Sequence, residues 1–310
     1  MKLILSIFVL LISLNSFALT KIKLGLNWKP EPEFGGFYAA QINKTYKKYG
    51  LDVEIIEGGA NIPIAQMVAS GKFEFGISAG DHVILSHTRG ANLVAIFSVY
   101  QKSPECLMVR EESGIKNIQE LMKSDHILSL GSGQPYVTYF QKKYAPTKAK
   151  VVPYGGGVSA YVGNKKLAQQ CYAGSEPQLA EKQGVKTRTL LVADEGFDNY
   201  PTVLVTRKEY LDKHSDVAKK LVLAVREGWR EYLKNPGPTH KLIEKLNPTM
   251  DQATQEVVLK EQRSLMLGKL KAQDPFGHMS SSRWKTLVQQ MKEIGLIKKS
   301  IPTDQLYKNF

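Results

Sequence analysis

The sequence predicts an α/β fold of two lobes, the second inserted into the first, and three observations predict it. Short apolar strands alternate with helical segments from residue 22 to residue 97. A second series of the same kind runs from 106 to 192. An apolar strand over Val203 to Thr206 then returns to the first series, ahead of an almost wholly helical tail. Alternation of this kind builds open sheets with helices on their faces, and the strands are expected to run parallel.

The elements follow in order. Ile22-Lys-Leu-Gly-Leu26 alternates with a period of two, the mark of a half-buried strand. Residues 37–49 read as a helix ending at Gly50, since glycine takes the left-handed conformation past a helix end without strain. Val53 to Ile56 is a strand, 62–70 a helix closed by Gly71, and Phe73 to Ile77 a strand. Residues 81–89 form a helix up to Gly90, and Leu93 to Phe97 a strand. In the second series the strands are Cys106 to Val109, His126 to Leu130, Val151-Val152, 169–173 and 187–192. Helices are read at 116–123, 135–144 and 175–183. The tail holds helices at 215–234, 239–246, 250–267 and 281–294. Val217, Leu221, Val225 and Trp229 stand four apart and form an apolar stripe, so Trp229, like Trp284, is assigned to core. The expected lobes are 19–102 with 203–310, and 103–202. Crossings near 100–105 and 200–204 make a hinge, and ligands bind in the cleft between such lobes.

Residues 1–18 read as an export signal. Lys2 precedes an apolar run from Leu3 to Leu14, and Ser16 and Ala18 are the small residues a signal peptidase needs. The run is too short for a membrane anchor. The mature chain is therefore expected in the periplasm, cleaved near Ala18. Nucleotide cofactors and chromosomal DNA are not found there, so no cofactor and no nucleic-acid partner are expected, despite a net charge of +13. The lysines lie in scattered pairs such as Lys47-Lys48 and Lys298-Lys299 rather than one stripe, which suits solubility and a monomer. The six histidines include no i, i+4 pair flanking a glutamate, and no metal site is assigned. Cys106 and Cys171 can pair in an oxidising compartment, but the favoured reading is two buried thiols.

No catalytic residue is assigned, since a phosphate-binding loop and a His-Glu-x-x-His zinc pair are both missing. Open α/β sheets bind ligands beyond the carboxyl ends of their strands. Asn27 and Trp28 sit at such an end, where an indole can stack on a flat ring, with Phe34 close behind. Gly80 and Asp81 occupy an equivalent rim, Asp81 otherwise serving as a helix cap. Gln101 follows another strand and reads equally as hinge surface. Gly131-Ser-Gly133, before the helix bearing Tyr136, is either an anion-cradling turn or only a tight one. Gly156 lies in a triple glycine, which lets backbone approach a ligand or merely flex. Glu176 can accept two hydrogen bonds from an amino-substituted heterocycle, or it complements its helix dipole, with Ser175 as N-cap and Gln178 completing a capping box. Tyr200 opens the return crossing as a second aromatic wall.

These residues carry a resemblance over the whole mature chain. Leu26-Asn-Trp28 with its Pro-rich sequel and Gly35-Gly36-Phe37-Tyr38, Ser70-Gly-Lys-Phe-Glu-Phe-Gly-Ile77, Ser113-Gly-Ile115, Ser175-Glu-Pro177 and the Arg283-Trp284 to Tyr307 close all contribute. The chain resembles the substrate-binding proteins of ABC importers. More closely, it resembles the branch that binds thiamine pyrimidine precursors, related to fungal thiamine-pyrimidine synthases and to alkanesulfonate- and nitrate-binding proteins. That resemblance implies a type II periplasmic-binding-protein fold, closure on one small molecule, docking on a membrane permease, and no enzyme activity. It implies Trp28 stacked on a hydroxymethyl- or formylamino-pyrimidine and Glu176 bonded to the ring's amidine-like edge. The chain departs from the pattern in offering Glu33-Phe34 where many pyrimidine binders have a histidine, and in lacking the synthases' cysteine-rich cluster and active-site histidine. Alkanesulfonate, taurine, nitrate and flavin are the alternative ligands within this fold. A pyrimidine synthase is the alternative outside the binding-protein class.

Overall fold

The alternating apolar run after the export signal extends as β1 (Thr20–Gly25) and pairs in parallel with β2 (Leu51–Ile56) and β3 (Phe75–Ser78). This computed structural model describes residues 18–59, 62–131, 133–268 and 275–310, so all of the export signal except Ala18 lies outside the described residues. Helices α1 (Gly35–Ile42), α2 (Thr45–Lys48), α3 (Ile64–Ala69) and α4 (Gly80–Thr88) join these strands to β4 (Leu93–Ser98). The second lobe holds β5 (Glu105–Arg110), α5 (Ile118–Lys123), β6 (Ile127–Leu130), α6 (Pro135–Lys143), β7 (Lys150–Pro153), α7 (Ser159–Gly163), β8 (Leu167–Tyr172), α8 (Ser175–Glu181) and β9 (Thr187–Leu191). The chain returns as β10 (Val203–Arg207). It closes with α9 (Lys208–Lys213), α10 (Ser215–Lys234), α11 (Gly237–Leu246), α12 (Gln252–Leu267) and α13 (Ser281–Glu293).

The sheet orders are β2-β1-β3-β10-β4 and β7-β6-β8-β5-β9, two α/β lobes joined by two crossing segments. The expectation of parallel strands needs correction, because both sheets are mixed. β10 runs antiparallel to β3 and β4, and β5 antiparallel to β8 and β9. Each of these strands enters its lobe straight from the crossing. The crossing lies at the carboxyl ends of the parallel strands, so Val203 starts opposite Ser78 and Glu105 opposite Tyr172. A strand entering from that end has to run backwards.

Two helical expectations also change. The helix read over 37–49 breaks between α1 and α2, where Lys44 adopts the left-handed conformation at φ 56°. Helices α7 and α9 were not expected. In α9 only Leu211 is buried, while Lys208–Asp212 and Lys213–Glu209 pair along its exposed side, so the segment has no apolar period to read.

The apolar stripe of α10 is buried along its length, and Trp229 and Trp284 are wholly enclosed, as expected. Close packing of α1 on α10 depends on glycine. A Cβ at Gly36 would stand 2.2 Å from the Trp229 ring, and one at Gly228 would stand 2.3 Å from the Gly36 carbonyl. This crossing anchors the start of α1, and with it the 27–34 loop.

The two cysteines are not free thiols. β5 and β8 place Cys106 directly opposite Cys171, with their Cα atoms 5.0 Å apart, and they form a disulfide. The bridge stands one residue from Glu105 and one from Tyr172, at strand ends that face the cleft.

Candidate functional site

β1 ends in a segment held on both sides. The Leu26 N–H donates to the Ile56 carbonyl and the Gly58 N–H to the Trp28 carbonyl, continuing the β1–β2 ladder past the strand. Gly58 packs so tightly that an added Cβ would lie 2.0 Å from the Leu26 oxygen. Asn27 and Trp28 are thereby fixed at the rim of the first lobe. Trp28 is half-buried, and its indole faces Tyr154 of the second lobe with centroids 6.4 Å apart and planes 23° from parallel. Tyr154 is itself placed by ladder continuation, its N–H donating to the Leu130 carbonyl beyond β6.

A ring of contacts closes across the lobes. Trp28 Nε1 donates to Glu31 Oε1 at 3.1 Å, and Ser175 Oγ donates to Glu31 Oε2 at 2.6 Å. Tyr154 Oη donates to Glu176 Oε1 at 3.2 Å, and the Tyr172 N–H donates to Glu176 Oε2 at 2.9 Å. The expected capping box is therefore absent. Gly174, at φ 81°, is the N-cap and Ser175 is the first helical residue, which frees its hydroxyl to bridge the lobes.

The electrostatics are those of carboxyl groups crowded away from water. Burial, followed by the charge of Glu176, raises Glu31 to about 8, although Ser175 and Trp28 pull it back by hydrogen bonding. Burial also raises Glu176, opposed by the N–H of Tyr172. Glu33, only 7% exposed, is pushed well above the ordinary carboxyl range by burial and then by Glu31, Glu176 and Glu105. Burial and Asp81 raise Glu105 to about 8.

These shifts set a sign for stability. Between the ordinary value of 4.5 and about 8, the folded protein holds protons on Glu31 and Glu105 that the unfolded chain has released. Stability contributed by these two groups is thus present at low pH and lost as pH rises through that window. The ligand-free protein is expected to melt several degrees higher at pH 5 than at pH 8. A Glu31→Gln and Glu105→Gln double variant should flatten that slope in a thermal scan, whereas an unchanged slope would refute the assignment.

The other expected site residues separate into three groups. Tyr136 is 3% exposed and packs beside Phe140 in the hydrophobic core, where burial, followed by the charges of Glu105, Asp81 and Glu176, raises its hydroxyl. Gly80 and Asp81 bind the return crossing, where the Gly80 N–H donates to the Tyr200 carbonyl at 2.7 Å and the Asp81 N–H to Asn199 Oδ1 at 3.1 Å. Gly133 and Gly156 are exposed turn glycines with φ of 73° and 86°. Ser132 lies outside the described residues, and the Gly131 N–H is taken by Gln170 Oε1, against the reading of an anion cradle.

Three expectations are corrected by burial. Phe34 is wholly enclosed in the first-lobe core, because the Gly35-Gly36 packing draws it inward. Tyr200 is 1% exposed, covered by the Arg283 guanidinium at 3.9 Å and by Trp284, and its hydroxyl accepts the Ser280 N–H. Gln101 turns its amide away to the His278 carbonyl at 3.0 Å. Tyr200 and Gln101 belong to the hinge.

Sequence reasoning missed Glu31, Tyr154, Ser175 as a bridge, and Glu105. A faint signal existed in Lys29-Pro-Glu-Pro-Glu33, where two glutamates stand in a proline-stiffened loop of a basic chain. One enzyme-like pattern also occurs, Gly76-Ile-Ser78-Ala-Gly80 at the junction of β3 and α4. The buried Ser78 Oγ has no hydrogen-bond partner among the described residues, so no histidine is positioned there as its base.

Comparison with known proteins places the fold and the family. A 4-amino-5-hydroxymethyl-2-methylpyrimidine phosphate synthase of Saccharomyces cerevisiae is 24% identical over 239 residues, covering 69% of this chain and 70% of that protein. A formylaminopyrimidine-binding protein of Halalkalibacterium halodurans is 22% identical over 288 residues, covering 87% and 84%. Among solved structures, the periplasmic aliphatic sulphonate-binding protein of Escherichia coli superposes with a TM-score of 0.68 at 15% identity, covering 92% of this chain and 91% of that one. The fold is thus the periplasmic-binding-protein fold. The family described as NMT1/THI5 like matches residues 31–238, the span that carries Glu31, Tyr154, Ser175 and Glu176, and the chain belongs to that family.

Proposed function

We propose that this chain is the periplasmic solute-binding component of an ABC importer, and that it delivers a thiamine pyrimidine precursor to a membrane permease. Hydroxymethylpyrimidine and formylaminopyrimidine are the proposed ligands. In this reading residues 1–18 are removed on export, 19–102 with 203–310 form one lobe, and 103–202 form the other. The observation that carries it is the facing pair Trp28 and Tyr154, with Glu31 and Glu176 at its edge. Carbon contacts of about 3.5 Å on both faces of a flat ring place two flanking rings about 7 Å apart. The centroid spacing of 6.4 Å is near that value. A carboxylate at the ring edge accepts two N–H groups from an amino-substituted heterocycle.

The sulfonate and nitrate alternatives have a likeness of fold but lack support in the cleft. An anion there would meet Glu31, Glu33 and Glu176. The synthase alternative is supported by the fungal relatives' names, yet only two cysteines are present and they are bonded to each other.

Trp28→Ala and Tyr154→Ala are each expected to weaken binding of 4-amino-5-hydroxymethyl-2-methylpyrimidine about fivefold or more, since stacking contributes roughly 1 kcal/mol beyond area. Isothermal titration measures this, and an unchanged affinity would remove the aromatic pair from the site. Thermal-shift screening of pyrimidines, sulfonates and flavin then ranks the ligand classes, because a bound ligand raises the melting temperature with the logarithm of its excess. A shift from sulfonates alone overturns the pyrimidine reading.

A further inference from the structure

We infer that the cleft selects its guest by positive charge, binding a flat heterocycle as an amidinium-type cation, and that Glu33 is the residue imposing this choice. The inference rests on the proposed ring-binding site and adds the charge class of what enters it.

Three carboxyl groups, Glu31, Glu33 and Glu176, act electrostatically on one another at the junction of the lobes. None of them forms an ion pair among the described residues. Among the described residues the only cation acting on Glu31 is the exposed Lys29. Glu31 and Glu176 at least accept hydrogen bonds from the protein. Glu33 accepts none among the described residues, although it is more than nine-tenths buried. It lies in the buried turn Pro32–Phe34, and after burial its charge is the strongest influence on both Tyr100 and Tyr172, whose rings pack edge to face 6.3 Å apart. Asn27 Oδ1 is a buried acceptor without a donor among the described residues.

A buried carboxylate without partner or counter-charge is costly, and proteins keep such groups where something else completes them. Burial holds protons on Glu31 and Glu33 in the ligand-free protein, and a cationic donor lets them ionise, so the surplus is of carboxyl oxygens that positive charge would complete. The complementary guest offers several N–H donors and a positive charge spread over an N–C–N unit, as a protonated 4-aminopyrimidine does. A neutral ring of the same outline leaves Glu33 protonated and gains no charge-assisted contact, and an anion disfavours ionisation further.

Benzamidine and benzamide test this directly, since they share a flat outline and differ in charge. By isothermal titration at one pH, the wild-type protein should bind benzamidine about tenfold more tightly than benzamide, as expected for a charge-assisted contact. Glu33→Gln should bring that ratio close to one while leaving benzamide affinity within about twofold. Retained benzamide binding and an unchanged circular-dichroism spectrum show that the variant is folded. Equal binding of the two probes by the wild type, no binding of benzamidine, or a ratio untouched by Glu33→Gln would each overturn the inference. Titration of 4-amino-5-hydroxymethyl-2-methylpyrimidine separates the two conclusions. If it fails to bind while the Glu33-dependent preference persists, charge selection stands and the pyrimidine reading falls. If it binds and the preference is absent, the reverse holds.

Discussion

An Arg283→Ala protein is expected to lose about 2–3 kcal/mol of stability, the scale of charge-assisted hydrogen bonds made by a largely buried guanidinium to a partly exposed acid and to backbone carbonyls. Arg283 starts near the first turn of α13 and ties both crossings together with one side chain. Its Nε donates to the Asp198 carbonyl at 2.9 Å, and Nη1 donates to the Gln101 carbonyl at 2.6 Å and the Tyr100 carbonyl at 3.3 Å. Nη2 donates to Asp198 Oδ1 at 2.7 Å and also to the Asn199 carbonyl. The guanidinium plane covers Tyr200 as well. Truncation strands the Asp198, Asn199 and Gln101 carbonyls, while the Tyr100 carbonyl keeps the Ser98 hydroxyl, and it leaves the Asp198 charge near Glu105 without its partner. Lysine keeps the charge but cannot reproduce a planar fork with five donors, so Arg283→Lys should recover only a minor part of the loss. Chemical denaturation of the three proteins measures this. An Ala variant within about 0.5 kcal/mol of wild type, the usual range for surface substitutions, would show that the hinge does not depend on this residue.

Replacing both Cys106 and Cys171 by alanine is expected to cost about 4 kcal/mol, from the chain entropy restored to a long unfolded loop. The bridge spans a sequence separation of 65, and loop-closure entropy grows with that length. The melting temperature should fall by about 10 °C for a domain of this size. Reductant should lower the melting temperature of the wild type toward that of the variant and leave the variant unaffected. A wild-type melt insensitive to reductant would mean that the bridge adds nothing. The bonded strands also deliver Glu105 and Tyr172 to the cleft, so the bridge stiffens the second lobe where the two lobes meet.

How far the sequence could be read depended on how local each feature was. The strands around Leu24, Ile55, Phe75 and Ile96 announce themselves by apolar runs of the right length, and the α10 stripe by its four-residue spacing. Trp28 was visible as a rim residue because a position after a strand is set by that strand alone. Glu176 was placed on the correct turn, but its partners Tyr154 and Tyr172 were not foreseen. Phe34 and Tyr200 were misread as ligand walls, since whether an aromatic faces a cleft or a core turns on what packs over it. For Phe34 that is the glycine-mediated α1–α10 crossing. For Tyr200 it is an arginine far along the chain.

By itself, the sequence determined the α/β class, the two successive series of strands and helices, and the place of Trp28 just past the first strand. Each of these follows from periodicity and strand-end chemistry within a few residues. Only the tertiary structure decided that the entering strands run antiparallel, that Cys106 meets Cys171, and that Ser175 reaches across 144 positions to Glu31. Those pairings arise from strand order and from how one lobe sits on the other, and no local pattern encodes which distant side chains that arrangement brings within hydrogen-bonding distance.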